Sequence, residues 1–157
     1  MRRYPLLAIS GLIFLADLIS KKYVETILPI NGSIEYTSFF SLVHVRNYGG
    51  AFSLLSDFKY SFIIFTIFPL SVIAILVFMF MKTDQKSSKN FPILLILGGA
   101  SGNLFDRITK GFVVDFLDFH YKDLHWPAFN VADISITTGV LLWIIIELKS
   151  NIRSING

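Results

Sequence analysis

Apolar positions along the chain fall into four long runs separated by short polar segments. The longest, Tyr60 to Met81, carries no formal charge and holds one helix breaker, Pro69. A transmembrane helix needs about 20 apolar residues, and a proline inside one is tolerated where neighbouring helices re-satisfy the freed backbone groups. Three other runs are shorter. Tyr4 to Ala16 ends at Asp17, Phe91 to Phe105 ends at Asp106-Arg107, and Ile134 to Ile146 lies between Asp133 and Glu147. At about 1.5 Å per residue, none of these three covers a hydrocarbon core of about 30 Å by itself. Each crosses only if its helix continues through the charges that bound it, near a membrane surface. The pattern therefore predicts an all-α membrane protein with four transmembrane helices, near 4–22, 60–82, 90–108 and 131–149, in a single domain over residues 1–157. Ile34 to Val45 is rich in β-branched and aromatic residues and predicts short strands around Ser38-Phe39-Phe40. With Phe52 and Trp126-Pro127-Ala128-Phe129 these would form a small β-rich lip.

Composition agrees with the pattern. The chain is 54% hydrophobic and 16% charged, where a soluble domain has about 25% charged residues. Its mean hydropathy of +0.63 excludes disorder and disfavours an ordinary water-soluble enzyme. Without cysteine there are no disulfides, no thiol catalysis and no Cys-zinc sites. A net charge of +3 on so apolar a chain does not suggest a nucleic-acid binder. The placement of charge says more than its sum. Arg2, Arg3, Lys82, Lys86, Lys89, Lys149 and Arg153, out of 14 basic residues, fall in segments that four helices put on one side. By the positive-inside rule that side is the cytoplasm. Both termini are then cytoplasmic, and the loops near 29–59 and 109–130 face outward. Arg2-Arg3 before an apolar run also resembles a secretory signal peptide, but Ser20-Lys21-Lys22-Tyr23 offers no small-x-small cleavage site.

With this topology the ionisable residues inside the helices share one depth, just below the outer surface. Asp17 and Lys21 are spaced i, i+4, acid before base. Asn103, Asp106 and Arg107 share a face at the outer end of the third helix, and Asn130 to Asp133 open the fourth. Intramembrane charges are expensive unless paired or facing a wet cavity, so a common level suggests a common site. A ring of interfacial ion pairs that only staples the helices is the plainer reading of the same spacing.

Five of the 11 acidic residues, Asp106, Asp115, Asp118, Asp123 and Asp133, lie between 106 and 133. Asp115 sits between Val113-Val114 and Phe116-Leu117, an apolar setting, while Asp133 sits at a helix start with Asn130 as N-cap. Carboxyl groups in such different surroundings can have their pKa values pushed apart, as an acid/base pair requires. If they meet, they share one proton. The charged member can then take a proton from water attacking a carbonyl carbon, while the protonated member polarises the carbonyl oxygen. Two remote aspartates are also the pattern of a solvated acidic loop. His120 and His125, near Asp118 and Asp123, make a metal site conceivable, but there is no HExxH and they read better as interfacial side chains. Gly98-Gly99-Ala100-Ser101-Gly102 reads as a small-residue packing face for a neighbouring helix or a substrate helix. A proton-relaying transporter or channel component is the competing function. It would need polar groups at several depths, and the second helix has no charge.

These residues, in order, resemble the bacterial lipoprotein signal peptidase family (signal peptidase II) over almost the whole chain. The motifs are Asp17 with Lys21, Asn47-x-Gly49-x-Ala51-Phe52, Gly102-Asn103-x-x-Asp106-Arg107, Val113-Val114-Asp115-Phe116 and Phe129-Asn130-Val131-Ala132-Asp133. Gly50, where many relatives carry alanine, is a conservative exception. The resemblance implies an aspartic endopeptidase of the bacterial inner membrane, its site near the periplasmic face. Its substrates would be prolipoproteins bearing a diacylglyceryl group on the lipobox cysteine, cut just before that cysteine. The implied catalytic residues are Asp115 and Asp133. Asn47, Gly49, Asn103, Arg107, Asn130 and Ala132 match motif positions that support the site or hold substrate, and Asp17, Lys21 and Asp106 match residues that pair helices or shape the site. No metal or organic cofactor is implied. The expected partners are these substrates and membrane lipids, with the protein acting as a monomer.

Overall fold

The computed structural model describes residues 4–49 and 61–155. Arg2, Arg3, Gly50, Ala51, Phe52 and Tyr60 lie outside the described residues. The chain runs α1 (Tyr4–Ile27), β1 (Ser33–Thr37), β2 (Phe40–Asn47), α2 (Ser61–Lys82), α3 (Asn90–Lys110), β3 (Val113–Tyr121), β4 (Leu124–His125) and α4 (Val131–Ile155). It is mostly helical with one small antiparallel sheet.

α3 is the central helix and packs against α1, α2 and α4. Its glycines permit this. A methyl group on Gly98 would collide with Ser10 and Ile13 of α1, one on Gly102 with the Asp17 carboxylate, and one on Gly99 with the Ala132 carbonyl of α4. The small-residue face is therefore filled by α1 and α4, which leaves no room there for a substrate helix. At one end of the bundle Leu76, Phe80, Ile93, Leu94, Ile96 and Leu97 form an apolar core, flanked by Leu6, Ile9 and Trp143. Lys89 and Glu147 pair at that end, 2.8 Å apart and half exposed.

α2 and α4 contain stretches long and apolar enough to cross a membrane, Ile63–Lys82 and Val131–Ile152, with mean hydropathies of 2.8 and 1.9. α1 and α3 continue through the charges that interrupt their apolar runs, to Ile27 and Lys110. Large apolar side chains such as Leu12 (68%), Ile19 (67%) and Phe68 (66%) lie exposed along the helices. A continuous apolar surface of this kind calls for lipid rather than water.

The sheet caps the other end, in the order β1-β2-β3-β4. It is larger than the sequence pattern predicts. Ile34 to Val45, expected to form short strands, does so as β1 and β2, with only Ser38-Phe39 as the hairpin turn between Thr37 and Phe40. Thr37 Oγ1 accepts a hydrogen bond from the Phe39 amide, 3.4 Å, a local contact that competes with strand pairing. β3, read from the sequence as loop, pairs along β2, with Val45 opposite Asp115 and Asn47 opposite Val113. Val113 to Phe116 are all buried, so the polar/apolar alternation that marks a half-exposed strand is missing. Gly111 makes the turn from α3 into β3. It has φ +81°, and its amide bonds the Arg107 carbonyl, a left-handed cap that glycine adopts without strain. Val24, Leu28 and Phe116 form a second core that ties α1 to the sheet.

Candidate active site

Three elements meet under the sheet: the C-terminal ends of α1 and α3 and the N-terminus of α4. Asn130 caps α4. Its Oδ1 accepts the Asp133 amide at 2.9 Å, and its own amide donates to Asp133 Oδ2 at 3.2 Å. This is a reciprocal capping box with Asp at the third helical position. The same Asn130 donates through Nδ2 to Asp115 Oδ1, 2.7 Å. One fully buried residue thus holds both carboxylates.

Two further amides complete the arrangement. Asn103 Nδ2 donates to Asp133 Oδ1, 2.8 Å, and Asn47 Nδ2 donates to Asp115 Oδ2, 2.9 Å. Each amide is oriented by a donor on its oxygen side. Lys21 Nζ, which can only donate, lies 3.0 Å from Asn103 Oδ1. The Gly49 amide bonds Asn47 Oδ1 at 3.0 Å. All three NH2 groups are therefore turned toward the two aspartates.

Behind them lies a buried ion cluster. Lys21 contacts Asp17 at 2.6 Å and Asp106 at 3.1 Å, with all three side chains almost fully buried. Asp17 Oδ1 accepts the Ala132 amide, 2.9 Å, fastening α1 to the first turn of α4. Asp106 accepts the Val114 amide, 3.3 Å, and so fastens α3 to β3. Lys110 links Asp106 to Glu25 at 3.0 and 2.9 Å. Buried charges survive only when paired and hydrogen-bonded, and here every partner comes from a different element or turn. Arg107 donates to the Gly49 carbonyl, 2.9 Å, with its guanidinium over the Phe65 ring.

Asp115 and Asp133 line one cavity of about 530 Å³, with Asn47, Asn103 and Arg107. Asp17, Lys21, Gly49, Asp106, Asn130 and Ala132 are not on its wall; they hold the residues that are. The rest of the lining is apolar or weakly polar and includes Val113, Trp126 to Phe129, and Ile134, Ile136, Thr137 and Thr138 of α4. Of these α4 residues the sequence reading singled out none. The adjacent hydroxyls of Thr137-Thr138 in an apolar helix were the available signal.

Burial pushes the Asp115 carboxyl up from an ordinary 3.8 to about 7; the Asp133 charge adds to the rise, and the bonds from Asn47 and Asn130 oppose it. The two carboxyl groups are thus electrostatically coupled.

A family description, "Signal peptidase (SPase) II", matches residues 9–149. The chain belongs to the signal peptidase II family. Similar relatives include the lipoprotein signal peptidase of Francisella tularensis subsp. novicida, 42% identical over 155 residues, covering 97% of this chain and 95% of that one. That of Pasteurella multocida is 42% identical over 148 residues, covering 90% and 87%. Among solved structures, a bacterial membrane enzyme determined by the in meso method superposes with a TM-score of 0.84 at 32% identity, covering 94% of this chain and 89% of the other. As a member of this family the chain is a peptidase, and its apolar helices mark it as a membrane protein.

Proposed function

We propose that the protein is an aspartic endopeptidase that removes signal peptides from diacylglyceryl-modified prolipoproteins, cutting on the N-terminal side of the lipidated cysteine. Asp115 and Asp133 are its catalytic pair. The observation that carries this reading is Asn130, whose side-chain amide holds Asp115 and whose backbone amide holds Asp133. Two carboxyl groups fixed on one cavity, with one proton between them, are what water attack on an amide requires.

The more deeply buried Asp115 keeps the shared proton and donates it to the carbonyl oxygen of the scissile bond. Asp133, in the first turn of α4, takes a proton from the attacking water. The new C–O bond gives a tetrahedral intermediate. Its C–N bond then breaks as Asp133 passes the proton taken from water to the leaving cysteine nitrogen, and Asp115 recovers its proton from a hydroxyl of the intermediate as the new carboxyl group forms. Arg107, by holding the Gly49 carbonyl, keeps the Asn47 segment against Asp115. The apolar wall from Ile134 and Ile136 of α4 and from Trp126 to Phe129 accepts the signal peptide and acyl chains.

In the same proposal residues 1–157 form one inner-membrane domain crossed four times, with both termini cytoplasmic. The site lies near the periplasmic face, where an unwound signal peptide needs polar partners that lipid lacks. The test is incubation of the purified protein with matched prolipoproteins, one diacylated and one unmodified. Selective release of the signal peptide from the diacylated form, leaving diacylglyceryl-cysteine as the new N-terminus by mass spectrometry, supports the proposal. Equal cleavage of both, or cleavage elsewhere, contradicts it.

A further inference from the structure

The β3–β4 hairpin carries a cluster that the peptidase reading does not use. Asp118 and His120 alternate along β3 and so share a face, and His125 of β4 is the cross-strand partner of His120. The two imidazoles stack with centroids 4.9 Å apart and an interplanar angle of 26°. Both Nδ1 atoms converge on one oxygen, Asp118 Oδ2, at 2.9 Å from His125 and 3.5 Å from His120. His120 Nδ1 is buried and makes no hydrogen bond among the described residues. A buried ring nitrogen with no hydrogen bond among the described residues, 3.5 Å from a carboxylate that a second imidazole also reaches, calls for a further ligand.

We propose that Asp118, His120 and His125 form a binding site for a divalent transition metal of the Zn2+ class. Two imidazole nitrogens and one carboxylate oxygen are a donor set that suits Zn2+ and Co2+, whereas Mg2+ and Ca2+ need oxygen cages. Ligands about 2.0 Å from a tetrahedral ion lie about 3.3 Å from one another. The nitrogen–oxygen separations here straddle that value, and all three donor atoms lie within 4.8 Å of one another. The backbone already holds the ligands in place: the His120 amide bonds the Phe39 carbonyl, and Lys122 at φ 53° closes the hairpin. His120 and His125 also line an open cavity beside Glu35 and Ser41, from which water can supply the fourth ligand. Asp118 and His125 lie on the wall of a second cavity that includes Asp115. An ion here would cross-link the hairpin immediately before Trp126. The site stands independently of the chemistry assigned to Asp115 and Asp133.

The test uses the full-length, tag-free protein in detergent, stripped with chelator and titrated with Co2+ and then Zn2+. The expected result is one equivalent of Co2+ with the visible absorption of a tetrahedral site, bleached by Zn2+, and a Zn2+-dependent rise in melting temperature that Mg2+ does not produce. His125 is more than half exposed, so His125→Ala should fold normally. That variant, and Asp118→Asn separately, should weaken Zn2+ binding by more than about tenfold. Absence of saturable Co2+ or Zn2+ binding by the wild-type protein overturns the proposal. Wild-type affinity in both variants, or equal binding of Mg2+, overturns it as well.

Discussion

Lys21 Nζ lies 3.0 Å from Asn103 Oδ1, and through this contact α1 orients an amide on α3 that donates to an aspartate on α4. The lysine itself does not reach the cavity. It is a positioning residue, and the buried ion cluster around it is the joint between the helices that carry the site.

Lys21→Met should leave the buried Asp17 carboxylate without its cation, while Asp106 keeps Lys110. Breaking such a pair costs about 3–5 kcal/mol, a drop of about 10 °C in melting temperature for a chain of this size. Asp17→Asn combined with Lys21→Met should recover part of that loss, because one orphaned charge is gone. Thermal unfolding in detergent of the two single variants and the double variant checks this. Additive losses would mean that the pair is not coupled.

Asn103→Ala removes the amide donor to Asp133 while leaving Lys21 its two carboxylate partners. The expected outcome is a fall in kcat of about 100-fold, comparable to deleting one preorganised donor elsewhere, with KM nearly unchanged. Steady-state cleavage of a lipidated substrate provides the measurement. A change confined to KM would make Asn103 a substrate-binding residue instead.

The working form of the proposed pair carries one proton. Because burial holds Asp115 up at about 7, kcat/KM should fall as pH rises through that value and the shared proton is lost. In Asp133→Glu any residual activity should keep an alkaline limb but with a shifted midpoint, since each apparent value belongs to the pair. A flat profile between pH 6 and about 9 is incompatible with this assignment.

The raised Asp115 carboxyl also has a cost in stability. Between an ordinary 3.8 and about 7 the folded protein binds a proton that the unfolded chain does not. Stability therefore falls as pH rises through that window, by about 4 kcal/mol at full ionisation. Asp115→Asn abolishes this term. Its melting temperature relative to wild type should be more favourable at pH 8 than at pH 5, whatever the offset from the altered hydrogen bond. An identical difference at both pH values would show that Asp115 does not titrate in this range.

Sequence pattern and structure agree where the interactions are local. The i, i+4 spacing of Asp17 and Lys21 becomes a 2.6 Å ion pair, and the Asn130 N-cap is present with its reciprocal bond. Helical spacing also groups Asn103, Asp106 and Arg107, although only Asn103 and Arg107 reach the cavity. What the pattern does not reveal depends on non-local contacts. β3 exists because β2 pairs with it across 68 residues of chain, the separation of Asn47 and Asp115. Nothing within Val113 to Tyr121 alone distinguishes a buried strand from a loop with aspartates. The orientations of Asn47, Asn103 and Asn130 are set by donors from other elements, and the His120–His125 pairing appears only once the hairpin closes.

The central claim is that Asp115 and Asp133 work as one unit on the scissile bond. Purified Asp115→Asn and Asp133→Asn, each verified as folded by its melting transition, should be assayed with a diacylated prolipoprotein under single-turnover conditions. Cleavage reduced by at least about 10⁴-fold in each, and no further in the double variant, is the expected result for residues acting together. Near-normal processing by either single variant would contradict the claim.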